Sequence, residues 1–291
     1  MIEVVENQPY KGVIYHYCSW EAFYSIVTSG VIRLGWSGRM NDLSEGNWFA
    51  SLLLERLQKE HFEEVKNNPN EVWETWRANT PDFYFSSFSK LGDDLGMWRS
   101  YANQASGVCF GVDSSVLGIT RAVPMRNILS VKDLQLGCAE VIYEPDRVSD
   151  IIENLFSLFG EQVRTAESLP IEVQMLFAQA SLRIKNPAFA SEQEVRLIHS
   201  PLLMSEGVGM DGDIDGKKTN TTSALGDLKF SPYSDQIGGY FELDLFRDNK
   251  DALVSVNIGP RSVQVPFHLE VFLKQHGYQK FKTLRSSAPL R

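Results

Sequence analysis

A strand, a helix and a second strand follow one another within the first thirty-odd residues, and this unit limits the folds open to the chain. Val13-Ile14-Tyr15-His16-Tyr17 is an apolar, aromatic run suited to a buried strand. Ser19 supplies an N-cap, Glu21 suits the first helical turn, and Phe23, Ile26 and Val27 form a stripe at helical spacing that stops at Gly30. Val31 to Leu34 then reads as the next strand. Short strands and helical stripes continue in this manner to the C-terminus, so the expected class is α+β.

After a polar turn from Gly38 to Gly46, Phe49, Leu52, Leu53 and Leu57 predict a helix over about 48–64, and a short helix is expected around 71–77. Phe83-Tyr84-Phe85-Ser86-Ser87-Phe88-Ser89 reads as a strand by its aromatic content, interrupted by small hydroxyls. Asp93 and Asp94 can cap a helix whose face is Met97, Trp98, Tyr101, Ala102 and Ala105, with Gly107 ending it and a strand over 108–112. Further strands are expected at 141–143 and 192–198. Helices are expected at 148–160 and at 169–184, the latter with Ser168 at its cap and Pro170 in its first turn. The C-terminal part predicts strands near 239–244 and 253–258, a helix near 266–276 stopped by Gly277, and a last strand near 278–284. There is no repeat and no clean linker. The economical organisation is one α+β domain over residues 1–291, with a helical insertion at about 148–184 and a mobile, glycine-rich loop at about 205–227.

Composition narrows the function classes. Hydrophobic residues make up 43% of the 291 and aromatics 11%, which suits a packed globular protein rather than a disordered one. A net charge of −9 gives no general electrostatic footprint for duplex nucleic acid or anionic membrane, while leaving room for a local basic pocket. Cys18, Cys109 and Cys138 lack metal-ligand spacing and read as reduced core residues. No signal-peptide pattern and no membrane-length apolar run is visible, so a cytoplasmic location is expected.

Most sequence motifs point away from well-known chemistries. Asp211-Gly212-Asp213-Ile214-Asp215-Gly216 imitates the front half of a calcium loop, but the twelfth position is Thr222 rather than Glu, so a solvated acidic loop is the better account. No glycine-rich dinucleotide fingerprint, phosphate loop or nucleophile elbow is present. The five histidines do not cluster, so no metal is expected.

Three features remain. His16 lies inside an apolar strand, where its ring must find hydrogen-bond partners. Ser86, Ser87 and Ser89 recur on one strand. Glu192-Gln193-Glu194-Val195-Arg196 places two carboxylates and a guanidinium at a spacing of two; on a strand they would share a face about 7 Å apart. That arrangement serves either as a charge network, with Arg196 neutralising the carboxylates, or as a device to stabilise a positive centre.

The order of these features, with their local sequences, resembles a large bacterial family catalogued as a domain of unknown function. The pattern here is Tyr15-His16-Tyr17, Ser29-Gly30, Asn41-Asp42-x-x-Glu45, Phe85-x-x-Phe88-Ser89, Met97-Trp98-x-x-Tyr101-Ala102, Gly107-Val108-Cys109-Phe110, Glu192-x-Glu194-x-Arg196, Ile258-Gly259-Pro260 and Ser287-x-Pro289-x-Arg291. The histidine strand and the late E-x-E strand also resemble the split, antiparallel-rich sheet of ADP-ribosyltransferases. That resemblance implies NAD as substrate, Glu194 as the catalytic carboxylate and Glu192 as the residue that directs or deprotonates the acceptor. It implies His16 as an NAD anchor and one of Ser86, Ser87 or Ser89 in the nicotinamide pocket; among the aromatics, Tyr17, Tyr101 or Trp98 would suit stacking on nicotinamide or adenine, while Trp98 and Met97 on the apolar helical stripe read more readily as core. Tyr84 and Tyr101 compete with the serines for the middle position of the signature. Asn41 and Asp42 would lie on a loop near the site. The chemistry suits these residue types, because a carboxylate stabilises the oxocarbenium-like state of nicotinamide–ribose cleavage and a second can act as general base. The expected acceptor is a protein or nucleic acid; a toxin or phage-defence role would fit, with a cognate regulator or antitoxin as partner. Water as acceptor would make the protein an NAD glycohydrolase, and a binding module of the same fold would use the carboxylates structurally.

Overall fold

The computed structural model describes residues 9–39, 44–59, 83–121, 136–165, 179–203, 221–222, 225–232 and 237–289. The expected helix at 71–77, the Asn41–Asp42 loop, the segment imitating a calcium loop and most of the 205–227 loop lie outside them. The described strands are β1 (Val13–Cys18), β2 (Val31–Trp36), β3 (Tyr84–Ser89), β4 (Val108–Asp113), β5 (Thr120–Arg121), β6 (Leu136–Glu140), β7 (Glu194–His199), β8 (Leu202–Leu203), β9 (Thr221–Thr222), β10 (Lys229–Pro232), β11 (Ile237–Asp244), β12 (Leu253–Ile258) and β13 (Lys282–Arg285). Among the described residues the helices are α1 (Trp20–Ser29), α2 (Ser44–Lys59), α3 (Leu95–Tyr101), α4 (Pro145–Thr165) and α5 (Pro266–Gln275), and residues 179–183 are helical as well. The protein is thus mixed α+β, with several helices and a large, open, mostly antiparallel sheet. No described helix is long and apolar enough to cross a membrane.

The chain groups into two compact units. Residues 7–37, 83–139 and 191–291 make the larger; 1–6, 38–82 and 140–190 make the smaller. In the smaller unit α4 buries Val148, Ile152, Leu155 and Phe156, and the Arg56 guanidinium of α2 forks onto Glu153 of α4 at 2.6 and 2.9 Å. The strand expected at 141–143 is reduced there to a single bridge between Ile142 and Ile184, while β6 ends just before it.

The larger unit contains the opening strand–helix–strand. Ser19 accepts from the Ala22 amide, and α1 closes at Gly30 in the left-handed region (φ 78°). A Cβ on Gly30 would sit 2.7 Å from the Arg247 amide nitrogen, so glycine is required there on both counts. Sheet order is β10-β11-β2-β3-β1-β4-β12-β13, and β7 lies along the other edge of β3. β2 and β1 share one edge of β3: Trp36 and Gly35 pair with Tyr84 and Phe85, Tyr15 pairs with Ser89, and Ser86 to Phe88 have no ladder partner on that side. The sheet therefore forks at the middle of β3.

Period-two alternation sorts the side chains around this fork. Ile14, His16 and Cys18 share a face with Phe110, Val112, Val256, Phe88 and Val195, and this face is buried by Phe23, Ile26 and Val27 of α1 and Leu269 and Leu273 of α5. Tyr15 and Tyr17 point the other way, with Cys109, and meet Met97 and Trp98 of α3. Asp94 caps α3 through the Met97 amide. The helix ends at Tyr101 rather than running to Gly107, because Asn103, Gln104 and Ala105 turn left-handed (φ 47°, 52° and 70°). That turn is tied down by the Ala105 amide to the Trp98 carbonyl and the Arg261 amide to the Ala105 carbonyl, which offset a conformational cost of about 1–2 kcal/mol per residue.

Candidate functional site

β7 begins at Glu194, not at Glu192. Pro187 to Glu192 form a 3-10 helix, and Gln193 takes a left-handed conformation (φ 43°) that breaks the alternation before the strand starts. The expectation that Glu192, Glu194 and Arg196 line one strand face is therefore corrected: only Glu194 and Arg196 do.

Those two are joined to each other. Arg196 Nε donates to Glu194 Oε1 at 2.7 Å and Nη2 to Oε2 at 3.0 Å, a two-pronged ion pair between buried side chains. The Arg196 guanidinium lies 4.5 Å from the ring centre of Phe85, on the same face of β3. Ser87, directly across the ladder from Arg196, donates its hydroxyl to Glu194 Oε1 at 2.6 Å.

Ser87 also reaches the opening strand, by its backbone. His16 Nδ1 lies 2.9 Å from the Ser87 carbonyl; a carbonyl only accepts, so Nδ1 carries the proton in this contact. The bond satisfies a carbonyl that β1 leaves without a ladder partner where the sheet forks. Burial pulls the His16 pKa below its usual 6.5, against the opposing effect of the Ser87 carbonyl, so the ring is neutral near pH 7. Its ring packs 5.1 Å from Phe88 and 5.4 Å from Phe110.

The serines divide by parity. Ser87 and Ser89 face Glu194 and Arg196, whereas Ser86 shares the opposite face with Phe88 and His16. Ser89 donates to the Glu192 carbonyl at 2.6 Å and accepts from the Leu91 amide at 3.0 Å, which seats the turn before β7. Glu192, half-buried, accepts from the exposed Tyr101 hydroxyl at 2.7 Å. Tyr17 is engaged elsewhere: its hydroxyl donates to the Leu91 carbonyl at 2.9 Å and accepts from the Asp94 amide at 3.0 Å. Burial, first of all, drives its phenol pKa up. Its ring stands edge-on to Trp98.

The structure thus brings Glu194, Glu192, Ser87, Ser89 and Tyr101 together around the start of β7, with Arg196 as the cation among them. It sets His16 and Ser86 on the other face of the sheet, with His16 linked to Glu194 through the backbone carbonyl and hydroxyl of Ser87. Asn41 lies outside the described residues. Asp93 has a role the sequence did not signal. Its carboxylate accepts from the Trp98 indole at 2.6 Å, the Ser286 hydroxyl at 2.5 Å, and the Ser287 amide and hydroxyl at 2.9 and 3.1 Å. Burial pulls the Asp93 pKa up, but the bonds from Ser286, Trp98 and Ser287 together outweigh it and hold the carboxyl below its usual range. Nothing in local spacing could reveal a contact spanning almost two hundred residues.

A family model described as a protein of unknown function (DUF2971) matches residues 97–197, which takes in Trp98, Tyr101, Glu192, Glu194 and Arg196. No curated protein and no solved structure matches the chain.

Proposed function

We propose that this protein is an NAD-dependent ADP-ribosyltransferase-like enzyme that transfers ADP-ribose to a macromolecular acceptor. The observation that carries this reading is Ser87, whose carbonyl holds His16 and whose hydroxyl holds Glu194, so that a strand histidine, a middle-strand serine and a late glutamate form one connected series. The fork in the sheet between β1 and β2 supports it as well, since a split antiparallel sheet is the fold this chemistry would use.

In this reading Glu194 is the carboxylate that faces the positive charge developing on the ribose as nicotinamide departs. Arg196 and Ser87 hold it in one rotamer, so no reorganisation is needed when the charge develops. Glu192, oriented by Tyr101 and by its own carbonyl bond to Ser89, takes the proton of the incoming acceptor. His16, with its proton fixed on Nδ1, offers Nε2 as an acceptor on the far side of the fork.

A second reading has its own observation. The Arg196 guanidinium occupies both oxygens of Glu194, as in a buried structural ion pair, and this favours a non-catalytic nucleotide-binding or partner-binding module. The two separate in one experiment: the protein is incubated with NAD carrying a labelled adenylate, alone and with bacterial lysate, and nicotinamide release and labelling of protein, RNA and DNA are followed. Release that is abolished by Glu194→Gln, with NAD affinity retained, supports the enzyme. NAD binding without release supports a nucleotide-binding module, and neither binding nor release rejects the enzyme and the nucleotide-binding module alike.

A further inference from the structure

We infer that the loop before α5, together with the outer face of that helix, is a docking surface for a short acidic, apolar-bearing segment of a partner protein. The inference does not depend on the activity proposed above.

The surface is apolar and unusually open. Val263 is 95% exposed, Phe267 68%, Val265 48% and Val271 37%. They follow one another along the chain, and Phe267 and Val271 sit one helical turn apart on α5, whose opposite stripe, Leu269 and Leu273, is buried. A run of such side chains in water is characteristic of a binding surface rather than of a solvated face.

Charge says what covers it. By sequence, residues 261–291 carry Arg261, Lys274, Lys280, Lys282, Arg285 and Arg291 against Glu270 alone, a net of +5 in a chain of net −9, although Lys280 is paired with Asp251 at 2.6 Å. Arg261 and Lys274 are exposed at the two ends of the apolar run, and neither is ion-paired among the described residues. Arg285 is turned onto the Ser262 and Gln264 carbonyls at 3.0 and 2.9 Å, which fixes the loop and keeps a guanidinium beside Val263. An apolar strip with cations at its ends complements a segment of alternating carboxylates and apolar side chains. An extended polyanion is a poorer match. Beyond about 8 Å at physiological ionic strength the patch is screened, and the net −9 of the chain as a whole opposes a long polyanion.

The test uses the whole protein and a fluorescein-labelled peptide of alternating glutamate and leucine, about twelve residues long, followed by fluorescence anisotropy and hydrogen exchange. The peptide is expected to bind, to weaken as salt rises, and to protect amides within 261–274. A Lys-for-Glu version should not bind. Arg261→Glu with Lys274→Glu, and separately Val263→Ser with Phe267→Ser, should each weaken binding about tenfold or more. Overturning results are no binding, protection elsewhere, or wild-type affinity retained in both double variants. Tighter binding to phosphatidylserine vesicles or single-stranded RNA would also overturn it, as would self-association of the wild type that Lys274→Glu abolishes.

Discussion

Arg196 grips Glu194 across a single intervening residue, with two hydrogen bonds of 2.7 and 3.0 Å between side chains withdrawn from water. Two residues apart on one strand is the separation at which a guanidinium can fork back onto a carboxylate without either leaving the sheet face. The pair is both the feature most open to a catalytic reading and the one most easily explained by structure, so its energetics are the first thing to measure.

Removing one partner of a buried ion pair leaves an uncompensated charge, which costs about 3–5 kcal/mol, whereas replacing both with apolar groups of similar volume is close to neutral. Arg196→Met should therefore destabilise the protein by that amount in urea unfolding, and Arg196→Met with Glu194→Met should recover most of it. A double variant as unstable as the single one would mean that Ser87 and the surrounding packing, rather than the pair, hold this end of β7.

The half-buried His16 ring has a lowered pKa, so the folded state resists taking up a proton that the unfolded chain binds at about 6.5. The unfolded state then binds more protons between the folded pKa and 6.5, and stability rises with pH across that window. Unfolding free energy should fall as pH drops below 6.5, and His16→Phe should flatten that part of the profile. Nitrogen-15 spectra of the imidazole should show the proton on Nδ1 at pH 7; a proton on Nε2 there would contradict the bond to the Ser87 carbonyl.

Asp93 gathers four hydrogen bonds, three of them from Ser286 and Ser287. Asp93→Asn should loosen the C-terminal segment at a cost of about 1 kcal/mol, a low value for bonds to a charged group because the carboxylate is exposed to solvent. Amide exchange at 286–288 should accelerate while exchange in β4 stays unchanged. With the folded carboxyl titrating below its usual 3.8, the stability these bonds contribute is present above that pH and is lost as pH falls through the folded value. Equal exchange in wild type and variant would show that Ala288, packed beside Met97 and Trp98, secures the segment by itself.

Much of the architecture was legible because it is local. Ser19 and Gly30 bracket α1, Asp94 caps α3, and strand 253–258 falls where its apolar residues put it, since caps and alternation act over a few residues. The site was legible in its residue types but not in its faces. Counting by twos within β1 and β3 would have separated His16 from Tyr17 and Ser86 from Ser87, yet which parity of one strand matches which parity of another depends on register, and register is a property of pairing. Glu192 was misplaced because a non-glycine residue, Gln193, takes a left-handed turn that no propensity signals.

Residue chemistry and short-range periodicity thus specified a mixed α+β chain, its helix ends, and the roster of histidine, serines and glutamates from which any site must be drawn. Contacts between distant segments decided the rest. That β1 and β2 share an edge of β3, that Ser87 bridges His16 and Glu194, and that Asp93 holds Ser286 and Ser287 follow from burying both sheet faces, one beneath α1 and α5 and the other, in part, against α3. Hydrophobic burial is non-directional: it brings the strands together, and hydrogen-bond pairing then selects the register that aligns one residue with another.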